Sequence, residues 1–250
     1  MAIYTENLRT AQNVDSVGAP SSIFEKWTHA TNWSGDVAPQ LIGDTAYDAD
    51  NNWIMTGTNA ASLTSCLHST SGGLRLLTAG ADNDQVILSP NTTAGLGGID
   101  DVLLSTDKQS AIWFLVTTPS AILTVLYNFG LSLTAVTDIT TDADQVKFSF
   151  DTDSSDTTWK VNVSIGGTDT ELDTGVTVAV STQYLLGIVI GSDRKARCFV
   201  DDGNRFRGSH RVTSGALTTA VDLQPLMAVQ ALVGAAREID VKAVALARDW

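Results

Sequence analysis

The chain is expected to fold as an all-β protein: an antiparallel sandwich behind an irregular N-terminal arm. From residue 146 to 248, β-branched and aromatic runs (VKFSF, TTWKVNVSIGG, GVTVAV, QYLLGIVIG, ARCFVDDGN, REIDVKAVALAR) alternate with polar turns. That spacing suits consecutive strands of a sandwich. The acidic residues are nearly all Asp, with Glu only at Glu6, Glu25, Glu171 and Glu238. Asp favours turns where Glu favours helices. Thr and Ser fill the polar positions, and threonine suits a half-exposed strand face.

Regular strand signals begin at Gly73. LRLLTA leads into the turn Asp82-Asn83-Asp84 and then QVILSP, and after a Gly-rich loop come AIWFLVTT and ILTVLYNFGLSL. An acidic loop from Asp138 to Asp144 precedes the later strands. In TTWKVNVSI, Trp159, Val161 and Val163 fall on one face and Lys160, Asn162 and Ser164 on the other, the pattern of a half-buried strand. Asp201-Asp202-Gly203-Asn204 suits a tight hairpin, because Gly and Asn tolerate positive φ. The stretch from Pro225 to Val233 divides the signals: good helix formers follow a proline, yet the run is short and apolar throughout.

Residues 1–70 read as an N-terminal arm and loop-rich segment ahead of a β-sandwich domain at 71–250. Three of the six Trp lie there (Trp27, Trp33 and Trp53) among Gly, Asn, Asp and Ser without sustained periodicity. Ser22 and Glu25 have capping-box spacing, which would start a short helix over residues 20–27. With Tyr47, these Trp have three readings open: the chain's own core, an anchor on a neighbouring subunit, or a platform for sugar rings.

Composition excludes several functions. A net charge of −13 repels phosphate backbones, so no nucleic-acid partner is expected. The local exception is Arg194, Lys195, Arg197, Arg205, Arg207 and Arg211, which reads as a solvated charged hairpin or as a basic patch for an acidic neighbour. MAIYTENLRT lacks a signal-peptide core and no run suits a membrane span, so synthesis in a cytoplasm and no membrane partner are expected. The sequons at Asn32, Asn91 and Asn162 then carry no meaning. Cys66 and Cys198 read as small buried hydrophobes, with a disulfide not implied.

No cofactor, metal site or enzymatic activity is expected. Asp151-Thr-Asp153-Ser-Ser-Asp156 opens like a calcium loop but lacks the central Gly, and Asn162 stands where a closing Glu belongs. Asp48-Ala-Asp50 and Asp82-Asn-Asp84 are weaker, and His29, His68 and His210 show no ligand spacing. No Gly-x-Ser-x-Gly elbow occurs, and the glycine pairs lack a nucleotide loop's Lys and following helix. Glycoside hydrolysis needs two carboxylates flanking one bond, whereas Glu171-Leu-Asp173 is followed by Gly175 and Val176 with no second Glu.

The run from Gly73 to Pro90, GLRLLTAGADNDQVILSP, resembles a segment of bacteriophage virion proteins with a concanavalin-like (LamG-type) jelly roll. Similar to that family as well are the Trp113 strand, Thr158-Trp-Lys-Val161, Asp173-Thr-Gly-Val176, Tyr184-Leu-Leu-Gly-Ile-Val-Ile, Arg197-Cys-Phe-Val200, and Ile239-Asp-Val241 through Leu246-Ala-Arg248. The resemblance covers about residues 70–250 and rests on structural rather than catalytic motifs. It implies a jelly-roll sandwich and makes Pro225–Val233 a strand. It further implies a head decoration (cement) protein on the capsid exterior, a homotrimer bound to the major capsid protein. The alternative it implies is a tail or fibre domain binding host-surface glycans. The interface residues expected on the arm are Tyr4, Leu8, Phe24, Trp27, Trp33 and Trp53.

Overall fold

The computed structural model describes residues 22–26, 53–60, 65–69, 73–90, 103–134, 142–201 and 211–248. Those residues form two antiparallel sheets of eight strands each, packed as a sandwich. Sheet I runs β14 (Arg211–Ala216), β13 (Lys195–Asp201), β12 (Gln183–Ile190), β7 (Ser110–Thr117), β16 (Glu238–Arg248), β4 (Leu74–Leu77) and β3 (Cys66–His68), with β1 (Ser22–Lys26) also on β16. Sheet II runs β11 (Thr168–Thr177), β10 (Thr158–Ile165), β9 (Gln145–Asp151), β8 (Val125–Ser132), β15 (Asp222–Ala231), β5 (Gln85–Pro90) and β2 (Trp53–Thr56). The short β6 (Leu104–Ser105) pairs with the start of β15. Among the described residues no helix is long and apolar enough to cross a membrane.

Period-two alternation builds the core. On β7, Ile112, Phe114 and Val116 face inward and are fully buried, while Ala111, Trp113 and Leu115 face outward. Across sheet II one register row, Met55, Leu88, Met227, Phe129, Phe148, Val161 and Leu172, spans seven strands on the inner face. Trp159 on β10 closes the centre. Its ring meets Tyr184 of sheet I edge-on at 5.6 Å and lies within 6.4 Å of Tyr127, Phe129 and Phe150. Tyr184 is fixed in turn: its hydroxyl donates to the Thr177 carbonyl at 2.9 Å and accepts from the Ala179 N–H at 2.7 Å. The Tyr127 hydroxyl crosses to sheet I and donates to the Glu238 carbonyl at 2.9 Å.

The capping-box helix over residues 20–27 is overturned: Ser22–Lys26 is strand β1, antiparallel to Ala243–Ala247. β4 covers only the Glu238–Val241 half of that edge of β16. The other half gains ladder hydrogen bonds from β1, and this tertiary demand outweighs a local capping signal. β2 and β3 also come from the first 70 residues, and they pair with β5 and β4. The Pro225–Val233 stretch forms most of strand β15, as the resemblance implied. Its Leu226 and Ala228 join Ile87 and Leu126 in a second apolar cluster separate from the main core. That explains a run apolar on both faces. The 201–204 hairpin mostly lies outside the described residues.

Cys66 and Cys198 are buried free thiols, as small hydrophobes should be. Burial pushes the Cys198 thiol up to about 12 and raises Cys66 as well. Two outcomes follow. Trp159→Ala should cost about 3–5 kcal/mol in urea denaturation, while Trp159→Phe, which removes an indole N–H without a partner, should cost distinctly less. A thiol reagent should label neither cysteine in the folded protein and both in denaturant, read by mass spectrometry.

Candidate functional site

The two outward faces of the sandwich differ in chemistry. On sheet II the outward row beside the core row is Thr56, Ile87, Ala228, Asn128, Ser149, Lys160 and Asp173. A neighbouring row carries Gly130, Lys147, Asn162 and Glu171, and the next carries Gln224, Ser132, Gln145, Ser164 and Asp169. Many of these polar groups are tied to one another. Gln145 donates to Ser164 at 2.8 Å, Ser164 donates to Asp169, and Gln85 donates to Gln230 at 3.2 Å. Thr56 Oγ1 and Gln85 Oε1 are buried without a partner, and Asn128 goes further: it is buried, and both ends of its carboxamide lack one. Ala228 and Ser149 flank it in the register, so two small side chains surround an orphaned amide.

At the far edge of this face, Lys160 reaches Asp173 at 3.1 Å. The Gly175 N–H, then the Thr158 hydroxyl, then Lys160 hold the Asp173 carboxyl down at about 2. The half-exposed pair is worth little in isolation, because water screens it.

Sheet I is apolar on its outward face too. One row crosses five strands: Phe199, Gly187, Trp113, Ala245 and Phe24. The Trp113 ring stacks on Phe199 at 5.9 Å and 28°. It lies directly over Gly187, where an added Cβ would come within 1.9 Å of the indole, so only glycine leaves room for the ring. Leu115, Leu185 and Ala243 form the next row, and Ala111, Val189 and Ala247 lie on the other side. Arg197 borders this face and is held bidentate by Asp193 at 2.9 and 2.7 Å.

A cleft of about 330 Å³ opens at one end of sheet I, lined by Arg75, Glu238, Asp240, Ser181 and the Thr117–Ser120 stretch. Arg75 sits 3.3 Å from Glu238 and 3.2 Å from Asp240, and Asp240 also meets Ser69 at 2.5 Å and Lys242 at 3.3 Å. Sequence reasoning weighed Glu171-Leu-Asp173 and passed over this second Glu-x-Asp spacing at Glu238-Ile-Asp240. The signal was present, but its partners Ser69 and Arg75 stand more than 160 residues away. No second carboxylate follows at that spacing: Val241, Lys242 and Ala243 come next, and the Lys242 ammonium pairs with Asp240.

Of the expected interface residues, Tyr4, Leu8, Trp27 and Trp33 lie outside the described residues. Phe24 and Trp53 are placed by backbone alone, opposite Ala245 and Pro90. Of the basic stretch, Arg205 and Arg207 lie outside as well, while Arg194 donates to the Leu217 carbonyl at 3.2 Å. Asp48, Asp50, His29 and His210 also fall outside. The Asp151–Asp156 loop is a hydrogen-bonded turn: Asp151 accepts from the Asp153 N–H and the Ser154 hydroxyl, and Asp156 accepts from the Asp151 N–H, each at 2.9 Å. Among the described residues no three His, Cys, Asp or Glu side chains gather as a metal site would require.

No family model matches the chain, and no curated protein matches it. Solved structures do. A protein of unknown function from Shewanella oneidensis MR-1 shares 14% identity, with 92% of this chain and 87% of that one covered and a TM-score of 0.56. A family 7 alginate lyase in complex with its product shares 11% over 85% of this chain and 100% of that one, at 0.56. Peanut lectin shares 9% over 93% and 98%, at 0.54. The class is therefore the concanavalin-like β-sandwich, a fold that lectins and lyases share.

The depressed Asp173 carboxyl adds stability above pH about 4, its ordinary range, and that share is lost as pH falls towards the folded value of about 2. Asp173→Asn should lower the melting temperature slightly at neutral pH, and the difference should vanish as pH falls through that window. A gap that widens in acid would contradict the pairing.

Proposed function

We propose that this chain is a non-enzymatic structural protein of a bacteriophage virion, and specifically a head decoration protein that docks on the major capsid protein. The observation that carries the reading is the outward face of sheet I, where Trp113, Phe199 and Leu115 stand among alanines on the side away from the core. β1 adds to this sheet along β16, with Phe24 opposite Ala245 in the register row that carries Trp113. The resemblance of residues 73–248 to phage virion proteins supports the same reading. Docking buries this face together with the arm. An interface of roughly 1,600 Å² gives useful affinity, and a trimer at a local three-fold multiplies it. The charge cluster at Asp240 favours a protein without turnover, because its two carboxylates are bound to Arg75 and Lys242.

A second reading, a tail or fibre domain that binds host-surface glycans, is favoured by one observation: the polar outward face of sheet II, with the orphaned Asn128 amide at its centre. Lectins among the fold neighbours, one of them complexed with galactose, agree with it.

Co-sedimentation with capsids that lack this protein tests the first reading. Trp113→Ser combined with Phe199→Ser should weaken binding by about a hundredfold, as loss of a buried aromatic anchor does, with circular dichroism unchanged. Removal of residues 2–21 should also weaken binding and leave the sandwich folded. Full binding by both variants would overturn the docking face.

A further inference from the structure

The cleft at the end of sheet I carries chemistry that neither the core nor the docking face uses. Arg75 bridges Glu238 and Asp240, and Lys242 meets Asp240. Two cations and two carboxylates sum to zero, so the cleft exerts no net pull on an ion. An entering anion meets Glu238 and an entering cation meets Arg75, each of them repelled.

Hydrogen-bonding capacity is what the cleft retains. A guanidinium offers five N–H donors and an ionised carboxylate accepts about four bonds, more than the contacts Arg75 and Glu238 make with each other and with Asp240. Thr117 lines the cleft directly opposite Asp240 in the strand register, and its hydroxyl is buried without a partner. A buried polar atom left unpaired is costly and calls for an explanation in its surroundings. The cavity of about 330 Å³ has room for one ring-sized ligand and too little for an extended chain. Pro119 adds an apolar patch to the wall.

We propose that this cleft binds one neutral sugar ring. Glu238 accepts from one ring hydroxyl and Arg75 donates to its neighbour, while Thr117 Oγ1 gains the partner it lacks. Adjacent hydroxyls of a pyranose are both donor and acceptor, so they match a carboxylate and a guanidinium held side by side. A sugar acid does not fit, because its carboxylate would stand against Glu238. The proposal rests on the glycan-binding reading and moves its site from the outward face of sheet II to the end of sheet I.

The test is a titration of the ¹⁵N-labelled full chain with glucose, galactose, mannose and N-acetylglucosamine in turn, and with galacturonate as the anionic counterpart. At least one neutral sugar should shift the amides of Thr117, Thr118, Ser120, Ser181 and Glu238–Asp240. Glu238→Gln and Thr117→Val should each weaken that binding by roughly tenfold, with melting temperatures confirming that both variants fold. Affinity unchanged in both variants would overturn the proposal. Shifts confined to Asn128 and Ser149 would overturn the cleft and leave glycan binding standing. Silence with every sugar would overturn both, and galacturonate bound as tightly as the neutral sugars would overturn the selectivity.

Discussion

The contact between Trp159 and Tyr184 is the constraint from which the rest of this sandwich follows. Two sheets about 10 Å apart need side chains long enough to meet across the gap, and here an indole from β10 meets a phenol from β12 at 5.6 Å. Tyr127, Phe129 and Phe150 complete the cluster from sheet II. The two tyrosine hydroxyls then tie it to the backbone, one at the β11–β12 turn and one at the start of β16. That last bond sets Glu238, and through it the strand that carries Asp240 and the outward alanines. Burial raises the Tyr127 phenol well beyond its ordinary range, and the nearby Glu238 carboxylate adds to the rise against a smaller opposing effect of Arg237. The hydroxyl therefore stays a donor at any ordinary pH.

With the inner faces committed to that core, function is left to the outer ones, and they are unlike. Sheet II presents Gln, Asn, Ser, Lys and Asp in register rows, with many of these groups joined to neighbours by hydrogen bonds. Sheet I presents Trp113, Phe199, Leu115 and a line of alanines. An antiparallel sheet with one face on the core commonly solvates the other. Sheet II nevertheless keeps Ile87, Ala228, Asn128, Ser149 and Lys147 buried on its outward face, while Trp113 and Leu115 on sheet I are only half-buried. Apolar residues on both faces of β7 and β12 are the mark of strands covered on both sides. A docking partner on sheet I and a polar ligand on sheet II or in the cleft are therefore compatible roles for one molecule.

Much of this was legible in the sequence, for local reasons. Strand β10 announces itself by alternation, and the turn at Asp82–Asp84 by its composition, with Asn83 at φ 63° and the Asp84 carboxylate accepting from the Ala81 N–H at 2.6 Å. What escaped depends on distant partners. A capping box at Ser22 and Glu25 is a local signal, while the strand that replaces it answers an open edge on β16 more than 200 residues later. Gly187 reads as a weak point in QYLLGIVI until the Trp113 ring is seen lying over it. Glu238 and Asp240 alternate like any strand pair, and only the fold brings Arg75 and Ser69 to them.

The most direct test of the central claim is the copy number of this protein in purified virions relative to the major capsid protein, by quantitative mass spectrometry. Decoration of the shell predicts copies in a fixed ratio approaching that of the capsid protein itself. A ratio two orders of magnitude lower would transfer the protein to the tail and favour the proposed glycan-binding role. Its absence from virions would contradict the account.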